Sequence, residues 1–262
     1  MKFVLFRHGH SLANQESRIV SSLENGTRTD GGPDGTGFGL SPKGRIEVAE
    51  RAMSLAEHII ASKPTGQQHQ HQQQHALRRV RVMIVTSPFQ RTLHTAAIIE
   101  SQLHTAFSQY HRQNNNSTAQ FEQENGLIVM PALRERFFGE FEMQTPSEDL
   151  YNRVWAADAN NWFHELFGVE SVADVTRRVT GVIRDLEQGA GYVAEGEEEE
   201  EVWAILVSHG DSLQILQTAM RGWSGDRHRQ LEHLDTANWR IVEWCPELRA
   251  AHQVVPRSSG CW

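Results

Sequence analysis

Four residues within five positions near the start of the chain, Arg7, His8, Gly9 and Ser11, carry groups suited to attack on phosphorus. A guanidinium neutralises phosphate oxygens in a planar fork, and an imidazole supplies a nitrogen nucleophile. Gly9 has no side chain, so the backbone there would come close to a bound anion. A single Arg-His pair arises easily by chance. Three later stretches carry partners for it: Thr86-Ser87-Pro88-Phe89-Gln90-Arg91-Thr92, Leu133-Arg134-Glu135-Arg136-Phe137-Phe138-Gly139 and Val207-Ser208-His209-Gly210-Asp211. They add a second guanidinium, a carboxyl group and a second imidazole.

With the first block extended to Asn14, the four blocks resemble, in order, the signatures of the histidine phosphatase superfamily, also called phosphoglycerate-mutase-like. The resemblance runs from Met1 to about Glu243, with interruptions. It implies a phosphohistidine on His8, a phosphoryl clamp of Arg7, Arg91 and His209, and neutral donors from Ser11 and Asn14. The family's Leu-x-Glu position makes Glu135 the proton donor. Asp211 remains a rival, because a related branch uses an acid just after its second histidine, although the spacing here differs by one. His10 stands where the family often has glutamate, and faces either the substrate mouth or solvent. Neither cofactor nor metal is implied.

The roles set electrostatic demands. His8 must be neutral to attack, and Arg7 beside it disfavours the imidazolium. Glu135 must stay protonated near neutral pH, so it should be desolvated or close to another carboxylate.

The elements that would position these residues alternate. Lys2-Phe3-Val4-Leu5-Phe6 reads as a buried strand, followed by strands at 80–85, 127–130 and 202–207 and a last one at 239–244. Ser41-Pro42 signals a helix start, and Ile46, Ala49, Ala52, Met53, Ala56, Ile59 and Ile60 follow at helical spacing to about Ser62. Ser87-Pro88 repeats the signal before Leu93, Ala96, Ala97, Ile99 and Leu103. Further helices are expected over 146–161, after Ser171, and over 213–220. This alternation predicts an α/β fold, three-layer α/β/α with a mainly parallel sheet. Arg7, His8, Arg91, Glu135 and His209 each come just after a strand, where parallel sheets bind ligands.

We expect one domain over 1–262, with loop insertions at 25–39, 63–78, 108–125 and 190–201. The glycine-rich stretch Gly26 to Gly39 reads as an exposed loop. The glutamine-histidine tract Gln67 to His75 lacks a carboxylate or cysteine shell, and reads as a disordered insertion rather than a metal site. The acidic run Glu195 to Glu201 reads as a solvated loop. The tail from Val254 is expected to fray.

Net charge is −8, and the acidic run holds six of the negatives, leaving −2 for the rest. A basic field for nucleic acid is therefore absent, and any anion site must be a local pocket. The two cysteines, Cys245 and Cys261, form neither a disulfide framework nor a metal-ligand spacing. No charged-then-apolar leader precedes the first strand, and no apolar run approaches the ~20 residues that span a bilayer. A cytoplasmic protein without a membrane partner is expected.

Within the family, mutases follow the Leu-x-Glu-Arg block with a basic pair for the substrate's carboxylate. Here Glu140, Glu142, Glu148 and Asp149 stand against Arg153, which disfavours a second anionic group. The segments at 151–155, 168–172 and 213–217 look like those of phosphatase-branch members. A metal-independent phosphomonoester hydrolase acting on a small phosphorylated substrate is therefore expected. A mutase is the runner-up, and a phospho-ligand binding protein without turnover is the reading from another class.

Overall fold

The computed structural model describes residues 1–32, 35–62, 78–114, 119–123, 126–189 and 200–244. The glutamine-histidine tract, most of the acidic run, both cysteines and the tail lie outside the described residues. Among those described, six strands form one sheet: β1 (Lys2–Arg7), β2 (Arg78–Thr86), β3 (Ala119–Gln123), β4 (Ile128–Val129), β5 (Glu200–Ser208) and β6 (Trp239–Val242). The order is β3-β2-β5-β1-β6, with β4 also on β2. All pairings are parallel except that of β6 with β1.

The long strands are buried on both faces, as parallel strands between two helical layers must be. Their side chains alternate with period two. Val4 and Phe6 join Val82, Ile84, Ile205 and Val207 beneath α3 (Pro42–Ala61) and α4 (Gln90–Gln113). Phe3 and Leu5 join Met83, Val85, Ala204 and Leu206 beneath α6 (Val172–Gly189) and α7 (Gly210–Met220). The protein is a three-layer α/β/α fold with a mostly parallel sheet. Among the described residues no helix is long and apolar enough to cross a membrane.

The helix starts follow the expected chemistry with one exception. The Ser41 hydroxyl accepts from Gly44 N, with Pro42 in the first turn, and Ser171 accepts from Asp174 N. The α3 core face lies largely where expected: Ala52, Ala56 and Ile59 are buried with Met53 and Ile60 packed beside them, Val48 and Leu55 join them, and Ile46 is 63% exposed. Ser87 is the exception. The residue before α4 is Phe89, which has no side-chain cap, and Ser87 serves the site described below.

Three expected loops contain structure. The 108–125 stretch continues α4 to Gln113 and then supplies β3, parallel to β2. Only Phe121 of β3 is buried, stacked on Phe107 with ring centroids 5.2 Å apart. One buried side chain in five, with Ala119 packed beside the same core, suffices at a sheet edge, where one flank and one face stay wet. The glycine-rich loop begins inside a short helix (Leu23–Thr27) and ends with Phe38 and Leu40 buried. Glu200 and Glu201 belong to β5, where Glu201 pairs with Lys2 and with Arg78 at 2.8 Å.

β3 is therefore part of the core rather than an appendage. Phe121→Ala is expected to cost about 3 kcal/mol in chemical denaturation, and Ile46→Ala less than about 0.5 kcal/mol. A loss below about 1 kcal/mol at Phe121 would show the segment to be peripheral.

Candidate active site

The carboxyl ends of β1, β2 and β5 meet at one edge, and the backbone there is stitched together. His8 N donates to Ser208 O (3.1 Å), Ser87 N to Val207 O (3.0 Å), and Met130 N to Thr86 O (2.8 Å). The Ser208 hydroxyl donates to Leu133 O at 2.7 Å, which fastens the Glu135 segment to β5. Residues as far apart in sequence as Arg7 and Tyr151 thereby line one cleft.

Gly9 also meets a packing need: a Cβ on it would lie 2.5 Å from Val48 and 2.8 Å from Gly44 O, so its bare backbone lets α3 approach closely. His10 belongs to the same joint. Its Nδ1 is 2.8 Å from the Ser41 hydroxyl, and it does not line the cleft. It braces the start of α3 and stays partly exposed to solvent.

His8 and His209 are both buried, with ring centroids 5.2 Å apart. Arg91 Nε donates to His8 Nε2 (3.1 Å) and to His209 Nδ1 (3.2 Å). Those two nitrogens must then be acceptors, which fixes both tautomers. His8 Nδ1–H goes to Gly9 O (2.7 Å), and His209 Nε2–H to the Ser87 hydroxyl (2.8 Å). Burial above all, then the Arg91 charge, holds both imidazoles well below their usual pKa. His8 is neutral as expected, with Arg7 the lesser cause.

Arg91 Nη2 donates to Val20 O (2.8 Å), and Nη1 is buried without a partner. Burial lowers the Arg91 pKa to about 10, so it is charged at neutral pH. Arg7 Nη1 donates to His233 Nε2 (2.7 Å) and Leu234 O (2.9 Å). Ser11 caps the helix Leu12–Gln15 in a reciprocal box with Asn14. The Asn14 Oδ1 accepts from Ser11 N and Oγ, and Asn14 lines the cleft.

The two candidate acids differ in environment. Burial, then the nearby Asp211 charge, pushes Glu135 above the ordinary carboxylate range, although it accepts from Arg136 N (3.0 Å) and Ser212 N (3.1 Å). Asp211 is lowered: burial opposes this, but Arg136, His228 and Arg229 outweigh it. Arg136 is fully buried. It grips Asp158 at 2.8 and 2.7 Å and reaches Asp211 at 3.3 Å.

All seven expected site residues gather at this edge. Arg7, His8, Ser11, Asn14, Arg91 and Glu135 line the cleft, with His209 directly behind His8 and Arg91. Arg18, Ser21, Phe138 and Tyr151 line it too, and sequence reasoning gave them no place there. The chain matches the family described as the histidine phosphatase superfamily (branch 1) over residues 60–255. That is about three quarters of its length.

The protein belongs to the histidine phosphatase superfamily.

The matched residues hold Arg91, Glu135 and His209, whereas Arg7 and His8 precede them and are brought in by the β1–β5 pairing. The chain resembles several solved structures. A mycobacterial glucosyl-3-phosphoglycerate phosphatase complexed with VO3 is 18% identical, with a TM-score of 0.61 over 94% of this chain and 93% of the other. A protein described as mycobacterial hydrolase 1 is 19% identical, with a TM-score of 0.60 over 94% and 91%. The alpha-ribazole phosphatase from Shigella flexneri is 19% identical, with a TM-score of 0.54 over 93% and 90%. At this identity the likeness shows the shared fold. Comparison with curated proteins gives no match.

Arg136 offsets two buried carboxylates at once, and removing it leaves Asp158 without a guanidinium partner and Asp211 with Arg229 alone. Arg136→Met is expected to lose about 3–5 kcal/mol in denaturant unfolding. An unchanged midpoint would mean that Asp158 and Asp211 are neutralised by other means.

Proposed function

We propose that the protein is a metal-independent phosphomonoester hydrolase that works through a phosphohistidine on His8. The observation that carries this reading is the pairing of a neutral, buried His8 with the raised carboxyl of Glu135 in one cleft that the Arg7 and Arg91 guanidinium groups also line. In the unliganded site the attacking lone pair on His8 Nε2 is occupied by Arg91 Nε–H. An arriving phosphoryl oxygen competes for that N–H and for the vacant Arg91 Nη1, and frees the lone pair as it binds.

His8 Nε2 then bonds to phosphorus as the ester P–O bond breaks. The leaving oxygen takes the Glu135 proton and departs as an alcohol. The Glu135 carboxylate next takes a proton from water, whose oxygen attacks phosphorus and breaks the P–N bond. Phosphate leaves, and both residues return to their starting protonation states. Arg7, Arg91 and Asn14 spread donors over the equatorial oxygens, which is most of what phosphoryl transfer requires.

The mutase reading retains one specific support. The carboxylates Glu140, Glu142, Glu148 and Asp149 do not line the cleft, although the Glu142 charge still acts on Arg91, whereas Arg18 does line it. Glu142 instead accepts from the backbone and hydroxyls of Ser21 and Ser22. Arg18 is itself engaged by Glu16 (3.1 Å) and Met143 O (3.3 Å), and two of the solved structures of this fold are described as phosphatases. Hydrolysis is the better supported reading. Release of phosphate from 3-phosphoglycerate without isomerisation is the expected result.

The assignment of the acid rests on leaving-group dependence. A phenolate departs without a proton, but an alkoxide does not. Glu135→Ala is expected to cut alkyl-phosphate turnover by two or more orders of magnitude. With an aryl phosphate it should show a burst of phenolate followed by a slow steady state. Asp211→Asn should give neither pattern; if it gives both, the acid is Asp211.

A further inference from the structure

We propose that His233 is a positioning residue that aims Arg7 at the phosphoryl group while leaving the Arg7 charge unneutralised. The inference rests on the reading of Arg7 as a phosphate ligand.

Arg7, partly buried, and Arg136, fully buried, are cations held in opposite ways. Arg136 is paired with two carboxylates. Arg7 has no carboxylate partner among the described residues; its Nη1 is held by the His233 ring nitrogen and the Leu234 carbonyl. Neutral acceptors fix a guanidinium's direction without spending its charge, and an anionic acceptor would compete with the substrate for it.

The network around His233 forces the imidazole to be such an acceptor. Its Nδ1 lies 3.1 Å from Gln214 Oε1. The Gln214 amide is oriented by its own Nε2, which donates to Leu231 O at 2.7 Å, and its oxygen also accepts from Arg229 Nη1 at 2.5 Å. That oxygen only accepts, so Nδ1 carries the proton and Nε2 presents its lone pair to Arg7. Burial, then the charges of Arg7 and Arg229, lower the His233 pKa to about 4, against the raising influence of Asp211 and Asp235. The ring is therefore neutral at pH 7. Gln214 sits on α7, the helix that starts just after His209. One rigid element thereby sets both the second histidine and the support of Arg7.

Glu and Gln at position 233 reach equally far and differ only in charge. Calorimetric binding of inorganic phosphate at pH 7 is the direct readout. His233→Glu is expected to raise the phosphate dissociation constant at least tenfold, whereas His233→Gln should stay within about threefold of the parent and His233→Ala should fall between. Equal affinity in the Glu and Gln variants would overturn the proposal, as would a Gln variant as weak as the Glu variant. Nitrogen chemical shifts of His233 in the unaltered protein give a second readout that needs no variant. Protonated Nδ1 with bare Nε2 at pH 7 is expected, and an imidazolium or the opposite tautomer overturns the proposal. Phosphate binding is measured without turnover, so a protein that hydrolyses no phosphomonoester still yields the result.

Discussion

One N–H of Arg91 is shared between two imidazoles, and the site depends on what that sharing requires. Both rings must present a lone pair, so neither is charged, and both must pass their remaining proton to a fixed acceptor, Gly9 O or the Ser87 hydroxyl. Burial makes neutrality the lower-energy state for an imidazole. It also makes a lone guanidinium costly. The arrangement persists because hydrogen bonds to neutral acceptors meet part of that cost, while Arg91 Nη1 stays unsatisfied. A phosphate dianion supplies what is missing, in both hydrogen bonds and charge.

The surrounding fold keeps carboxylates away from those two cations while placing one carboxyl close by. Asp211 is drawn into a separate ion cluster with Arg136, Asp158 and Arg229. From there its negative charge helps to raise Glu135 without lying against Arg7 or Arg91. Glu142 is likewise occupied by the Ser21–Asn25 segment. That segment follows Val20, whose carbonyl orients Arg91. Glu142, one of the four carboxylates whose sequence positions suggested repulsion, thus acts as a support.

His8, Arg91, Glu135 and His209 were legible because each lies in a short block just after a strand, and parallel strands end at a common edge. The alternating layers were legible for the same reason, since Phe3-Val4-Leu5-Phe6 and Ala204-Ile205-Leu206-Val207 are apolar without interruption. His233 was not legible. It stands 226 residues from Arg7 in a segment with no apolar period, and only the folded chain shows which nitrogen faces the guanidinium. The edge strand β3 was hidden by its own polarity, with Phe121 its one buried side chain. Arg136 had a signal in its place beside Glu135, but nothing in the block reveals Asp158 as its partner.

The central claim is that the neutral, buried His8 takes the phosphoryl group. The direct measurement is brief exposure to labelled substrate, a quench, and mapping of the label along the chain. The account predicts an acid-labile, base-stable phosphate on His8, absent from His8→Ala, which should also lose turnover. Label on a serine such as Ser11, or full turnover in His8→Ala, would contradict it.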